Sequence, residues 1–225
     1  MRNYRHQRGG SILEFSLMSL ALVPLLLGTV EFGITMYRVQ QTAQLAREAG
    51  YLYARGTDFS QPGNQTILAT VGSPLGLSTT AGSGNAEVIL SALTYVDKYA
   101  CALVGAVDAQ GNPKGCTNFG NWVFAQRLNI GNSGVLPTSN FGSPLASGPT
   151  GVAINPSTGS ISPTDYVLKA GAVVQFNSLN PYGNVNGQFT SLPSRQFLYV
   201  AEAGATAFAM SPFQNAKKIY SYGIF

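Results

Sequence analysis

From Ile12 to Tyr37 the chain is an almost unbroken apolar run whose only formal charges are Glu14 and Glu31. A single helix crosses a bilayer with about 20 mostly apolar residues, so this run predicts a membrane-spanning helix. No turn cluster interrupts the pattern before Gly56, and the helix is expected from Ser11 to Arg55 with Gly56 as its stop. At ~1.5 Å per residue such a helix is about 70 Å long. Pro24 lies inside it, removes a hydrogen bond to the Leu20 carbonyl, and predicts a kink or a loosened turn. Up to Tyr37 the pattern is apolar all round. Past Arg38 it becomes amphipathic: Val39, Ala43, Ala46, Gly50 and Tyr53 follow one face with Leu45, Ala49 and Leu52 beside it, while Gln40, Gln44, Arg47 and Arg55 line another. The first half is expected to stand exposed as a spine and the second to bury its stripe under a folded domain.

Beyond the helix the pattern breaks into short apolar runs. Ala86–Val96, Asn121–Ile130, Tyr166–Phe176 and Gln196–Phe208 are rich in β-branched, aromatic or aliphatic residues and bounded by turn residues, which predicts strands. Gln65–Val71 fits either a strand or a short helix. Between them, 21 of the 26 Gly and 11 of the 12 Pro lie downstream of the helix, so the loops are long. Residues 129–164 carry no charge, and Ser147-Gly148-Pro149, Asn155-Pro156-Ser157 and Ser162-Pro163 mark turns. They predict a surface excursion and a candidate interaction surface. The expected fold class is therefore α+β: a long amino-terminal transmembrane and spine helix, then a mainly antiparallel β head with long Gly/Ser/Pro-rich loops. The expected division is a basic leader at 1–9, the helix at 10–55 and an exported head at 56–225.

Charge adds an orientation. Six Arg stand against three Glu in the first 55 residues, and seven Lys+Arg against six Asp+Glu after them. The basic excess belongs to the leader, where Arg2, Arg5 and Arg8 predict a cytoplasmic amino terminus. A near-neutral head gives no support for nucleic-acid binding, which shows as a basic patch. With the head exported, Cys101 and Cys116 meet an oxidising compartment that favours their pairing over two free thiols.

An ordinary signal peptide has a shorter apolar core followed by a small-residue cleavage site. Here the paired glycines precede the apolar run, in Arg8-Gly9-Gly10-Ser11-Ile12-Leu13-Glu14-Phe15. A basic leader, Gly, four residues, Glu-Phe and a Leu-rich run resemble the class III signal of type IV pilin-like proteins. More specifically, the segment resembles the TadE-like minor pilin (pseudopilin) family of the tight-adherence, or Flp, secretion system. Leu25-Leu26-Leu27-Gly28-Thr29-Val30-Glu31-Phe32-Gly33 is similar to that family's second block, and Ala43-Gln44-Leu45-Ala46-Arg47-Glu48-Ala49-Gly50-Tyr51 to its third. Leu198-Tyr199-Val200-Ala201-Glu202-Ala203 resembles a terminal strand of the family.

The resemblance implies cleavage by a prepilin peptidase at Gly9/Gly10, with Gly10/Ser11 as the other bond. It also implies a register role for Glu14, with Phe15 beside it: the carboxylate pairs with the newly exposed α-amino group. An interfacial Glu with no partner is the plainer alternative. The implied partners are that peptidase, other pilin and minor pilin subunits, the inner-membrane assembly platform and membrane lipid. The implied location is the bacterial inner membrane, and the implied role is pilus assembly and surface adhesion.

Enzymatic chemistry finds little to use. His6 is the only histidine and falls in the leader, so zinc sites and histidine triads lack material, and no metal or cofactor is expected. Gly82-Ser83-Gly84 lacks the lysine and the βαβ setting of a phosphate loop. Asp97, Asp108, Asp165, Glu87 and Glu202 are scattered and expected at surface or edge positions, and Glu31 near the far membrane face. The rival reading is a membrane-anchored exported enzyme or binding domain that uses the helix only as a tether.

Overall fold

The computed structural model describes residues 8–136, 138–175, 196–207 and 217–225. The leader positions Arg2, Arg5 and His6 lie outside them, as do Phe176 and Phe208. Helix α1 runs Arg8–Ala54 and continues through Pro24. It thus takes in Gly9 and Gly10, ahead of the expected start at Ser11. Its end is set by Gly56 at φ 89. The Gly56 amide donates to the Tyr53 carbonyl (2.9 Å) and the Thr57 amide to the Leu52 carbonyl (3.1 Å), the paired bonds of a Schellman cap.

Four strands follow: β1 Ala86–Tyr95, β2 Trp122–Gly131, β3 Phe197–Thr206 and β4 Lys218–Ile224. They form one antiparallel sheet in the order β2-β1-β3-β4. The fold is α+β, a long apolar amino-terminal helix followed by an antiparallel sheet. Short helices α2 (Pro62–Val71), α3 (Lys98–Leu103) and α4 (Pro163–Leu168) lie in the connections. Gln65–Val71 is therefore helical. The described part of the run expected at Tyr166–Phe176 is not a strand: Ser162 caps α4 by accepting from the Asp165 amide (3.2 Å), Pro163 occupies its first turn, and the run continues as a 3₁₀ turn at 170–172. Only Val173 bridges, to Val123.

The sheet is buried on both faces, which is why β1 and β3 read as near-continuous apolar runs. On one face Ala86, Val88, Leu90 and Ala92 of β1 and Ala201, Ala203 and Ala205 of β3 receive Leu45, Ala46, Ala49 and Tyr53 of α1. Small residues on both sides let the helix lie close. Thr42 joins this stripe, fully buried, because its hydroxyl donates to the Arg38 carbonyl (2.8 Å) and needs no water. Val39, expected on the stripe, is exposed.

The opposite face carries a second core of Leu93, Phe124, Phe141, Val152, Ile161, Val167, Val174 and Val200. A bulge makes this possible. The register of β1 on β2 shifts between Ala92, opposite Gln126, and Leu93, opposite Phe124. One extra β2 residue turns Phe124 away from α1 and into the second core. Phe141, Val152 and Ile161 come from the charge-free stretch, so this is not merely a surface excursion: it supplies the layer that covers the sheet. It also closes the outer edge of β2, where the Arg127 amide donates to the Gly159 carbonyl (2.8 Å) and the Ile161 amide to the Ala125 carbonyl (2.9 Å).

Candidate functional site

α1 divides at Arg38. Before it, the most apolar stretch is long and apolar enough to cross a membrane and makes no buried contact with the head. Glu14 and Phe15 both lie on the exposed helix surface. Polar side chains within this stretch satisfy themselves, Ser19 donating to the Phe15 carbonyl and Thr29 to the Leu26 carbonyl, each at 2.8 Å. Hydroxyls bonded back to their own helix add little cost in lipid. At the division the Arg38 guanidinium donates to the Thr206 carbonyl (2.7 Å) and ties the helix to the end of β3. The Tyr53 hydroxyl, at the far end, donates to Gln126 (2.8 Å), whose amide donates in turn to the Thr158 carbonyl (2.6 Å).

Among the described residues a polar cluster lies inside the head's core, on the sheet face away from α1. Glu87 and Glu202, expected at surface or edge positions, are buried, at 2% and 0% exposure. Strand alternation puts Glu87 on the face of Ile89, Ser91 and Leu93, and the β1–β3 register sets Ile89 opposite Glu202. Ser91 stands opposite Arg127. Arg127 Nη1 reaches Glu202 (3.4 Å) and the Ser91 hydroxyl (3.2 Å). The remaining Glu202 capacity is taken by the hydroxyls of Ser139 (2.9 Å) and Tyr220 (2.6 Å).

A carboxylate so fully engaged ties β2, β3 and β4 to the Ser139 loop. Burial, and then the Glu202 charge that its hydroxyl faces, hold the Tyr220 phenol protonated far above its ordinary range. Burial pushes the Glu87 carboxyl up, against the Leu136 amide that it accepts (3.2 Å) and the Arg127 charge. Burial also lowers the Arg127 guanidinium, with Glu202 and Glu87 opposing. None of this was visible locally, because it depends on strand register. The alternation of β1 gave Glu87 a place among apolar residues, which was the one available signal.

Cys101 on α3 and Cys116 are joined, with Cα atoms 5.7 Å apart. Asp97 caps α3 by accepting from the Ala100 amide (2.9 Å). Asp108 and Asp165 serve loops: Asp108 accepts from the amides of Gln110 and Asn112, and Asp165 from Ala153.

Residues 9–50 match the family model described as TadE-like protein. The amino-terminal segment is TadE-like. The match spans the exposed part of α1 and most of its buried stripe, and residues 51–225 lie outside it. The likeness is confined to that segment, whose helix is long and apolar enough to cross a membrane. No curated protein and no solved structure matches the chain.

Proposed function

We infer that this is a minor pilin of a tight-adherence pilus, not an enzyme. Residues 1–9 form a leader removed by a prepilin peptidase after Gly9, residues 10–55 the spine, and residues 56–225 an exported head with Cys101 and Cys116 paired. The observation that carries the reading is the division of α1, whose TadE-like sequence runs unbroken from an exposed apolar half into the helix that the head packs on. A mere tether has no reason to be continuous with the core it carries. Partners on this reading are the peptidase, neighbouring pilin subunits that cover the exposed apolar helix, and the inner-membrane platform. The chain begins in the inner membrane with its amino terminus in the cytoplasm and takes part in fibre assembly and adhesion.

Cleavage after Gly9 makes Glu14 the fifth residue, next to the new α-amino group. Removing one partner of a poorly solvated ion pair costs at most about 3–5 kcal/mol. Glu14→Gln should therefore leave mature protein at normal abundance in the membrane fraction while fibres and adhesion are lost. Gly9→Val, which denies the protease a close backbone approach, should accumulate the full-length chain. Intact mass with Met1 retained in assembled protein would end the processing reading. Normal adhesion after replacing Ser11–Tyr37 by an unrelated anchor would end the pilin reading.

A further inference from the structure

A cavity on the sheet face away from α1 and a second at the outer edge of β2 share Arg127 in their linings. One, of about 310 Å³, is walled in part by Glu87, Arg127, Asn129, Ser143 and Gln175. The other, of about 290 Å³, shares Arg127, Asn129 and Ser143 and adds Asn155. Each alone sits near the lower limit of small-molecule sites, about 300 Å³. Side by side across these shared residues, they suit two linked rings better than one.

The lining fixes the chemistry of the occupant. Arg127 is nine-tenths buried, yet both of its hydrogen bonds leave from Nη1, and Nε is buried without an acceptor. Nη2 donates to no described residue. Asn129 and Ser143 are exposed and line both cavities, and Gln175 lines the first, so the wall around Arg127 is polar. The charges balance. Glu87 and Glu202 face Arg127 and Lys218, whose ammonium donates to the Gly134 carbonyl (2.7 Å). An ion of either sign would meet a charge of its own kind, and a large apolar ligand would strand the polar wall at a cost for each unmade bond.

A neutral molecule carrying many hydroxyls satisfies both conditions, because each hydroxyl both donates and accepts. We propose that the two cavities sharing Arg127 bind a neutral carbohydrate, a disaccharide-sized stretch of glycan that lies across Asn129 and Ser143. The site is on the flank of the head away from the spine helix, so occupancy does not compete with α1. The proposal is independent of whether the chain enters a fibre, since binding is read on isolated protein.

The test is saturation-transfer NMR on the full-length protein in a detergent without a sugar headgroup. Lactose, maltose, cellobiose and chitobiose serve as neutral probes, and glucosamine and glucuronate as cationic and anionic ones. At least one neutral disaccharide is expected to bind, about three- to tenfold more weakly in Asn129→Ala and not at all in Ser143→Leu, which fills the shared wall. Both positions are exposed, so the variants should melt as the wild type does. No binding by any neutral disaccharide up to its solubility would overturn the proposal. So would binding unchanged in Ser143→Leu, or charged sugars binding as well as neutral ones.

Discussion

Arg127 shows how one side chain couples three strands and a loop. Its own charge answers Glu202 on β3, its hydrogen bond reaches Ser91 on β1, and Glu202 extends the network to Tyr220 on β4 and Ser139. Arg127→Leu leaves a fully buried carboxylate without its cation, and breaking a buried pair in this way costs about 3–5 kcal/mol. Urea denaturation should show that loss, and Arg127→Leu combined with Glu202→Leu should recover much of it. Failure of the double variant to recover would assign the effect to packing.

Glu87 gives the opposite sign. Its folded pKa is raised, chiefly by burial, so the folded state holds its proton more tightly than the unfolded chain does. Stability from this group is therefore present below the ordinary glutamate value of about 4.3 and is lost as pH rises through the folded pKa. Melting curves of Glu87→Gln should gain on the wild type across that rise and lose the gain in acid.

At the scale of elements, α1 is two helices in one. Ala46 and Ala49 are fully buried against the alanines of β3, and a larger side chain there overpacks a close contact. Ala46→Leu should cost about 1–3 kcal/mol of head stability, whereas Leu22→Ala, in the exposed half, should leave the head's unfolding unchanged. Equal effects in denaturation of the purified protein would contradict the division. Gly50 belongs to the same contact, since a Cβ there would strike the ring of Phe225.

Sequence alone reached these elements unevenly. β1, β2 and β3 were legible because burial on both faces writes an apolar run between turns. β4 was missed because Lys218–Ile224 is short and only partly buried. The Tyr166 run was misread because Val167, Leu168, Ala172 and Val174 suit a strand, although Ser162-Pro163-Thr164-Asp165 had announced a helix start. The Glu87–Arg127–Glu202 grouping was out of reach, because it follows from a register that no local pattern carries.

Taken whole, the molecule is a head built around the end of its own stalk. The structural boundary falls near Arg38, where burial of α1 begins, and not at the Gly56 turn where the composition changes. A chain beginning at Arg38 keeps Leu45, Ala46, Ala49 and Tyr53 and should fold as a soluble head. A chain beginning at Gly56 exposes the alanine face of the sheet and should aggregate or remain unfolded. Limited proteolysis of the two fragments separates these outcomes, and a stable Gly56 fragment would show that the helix is dispensable to the head.

The contact between α1 and the last strands also sets an order of events. Arg38 meets Thr206 across 168 residues, and the helix stripe is covered largely by β3 and β4. During synthesis the helix is made first and must wait, with its apolar stripe uncovered, until nearly all the rest of the chain has been added. Contacts this distant in sequence form slowly and leave sticky intermediates. Residues 42–53 are thus the stretch that stays uncovered longest while the chain folds, whatever the head finally binds.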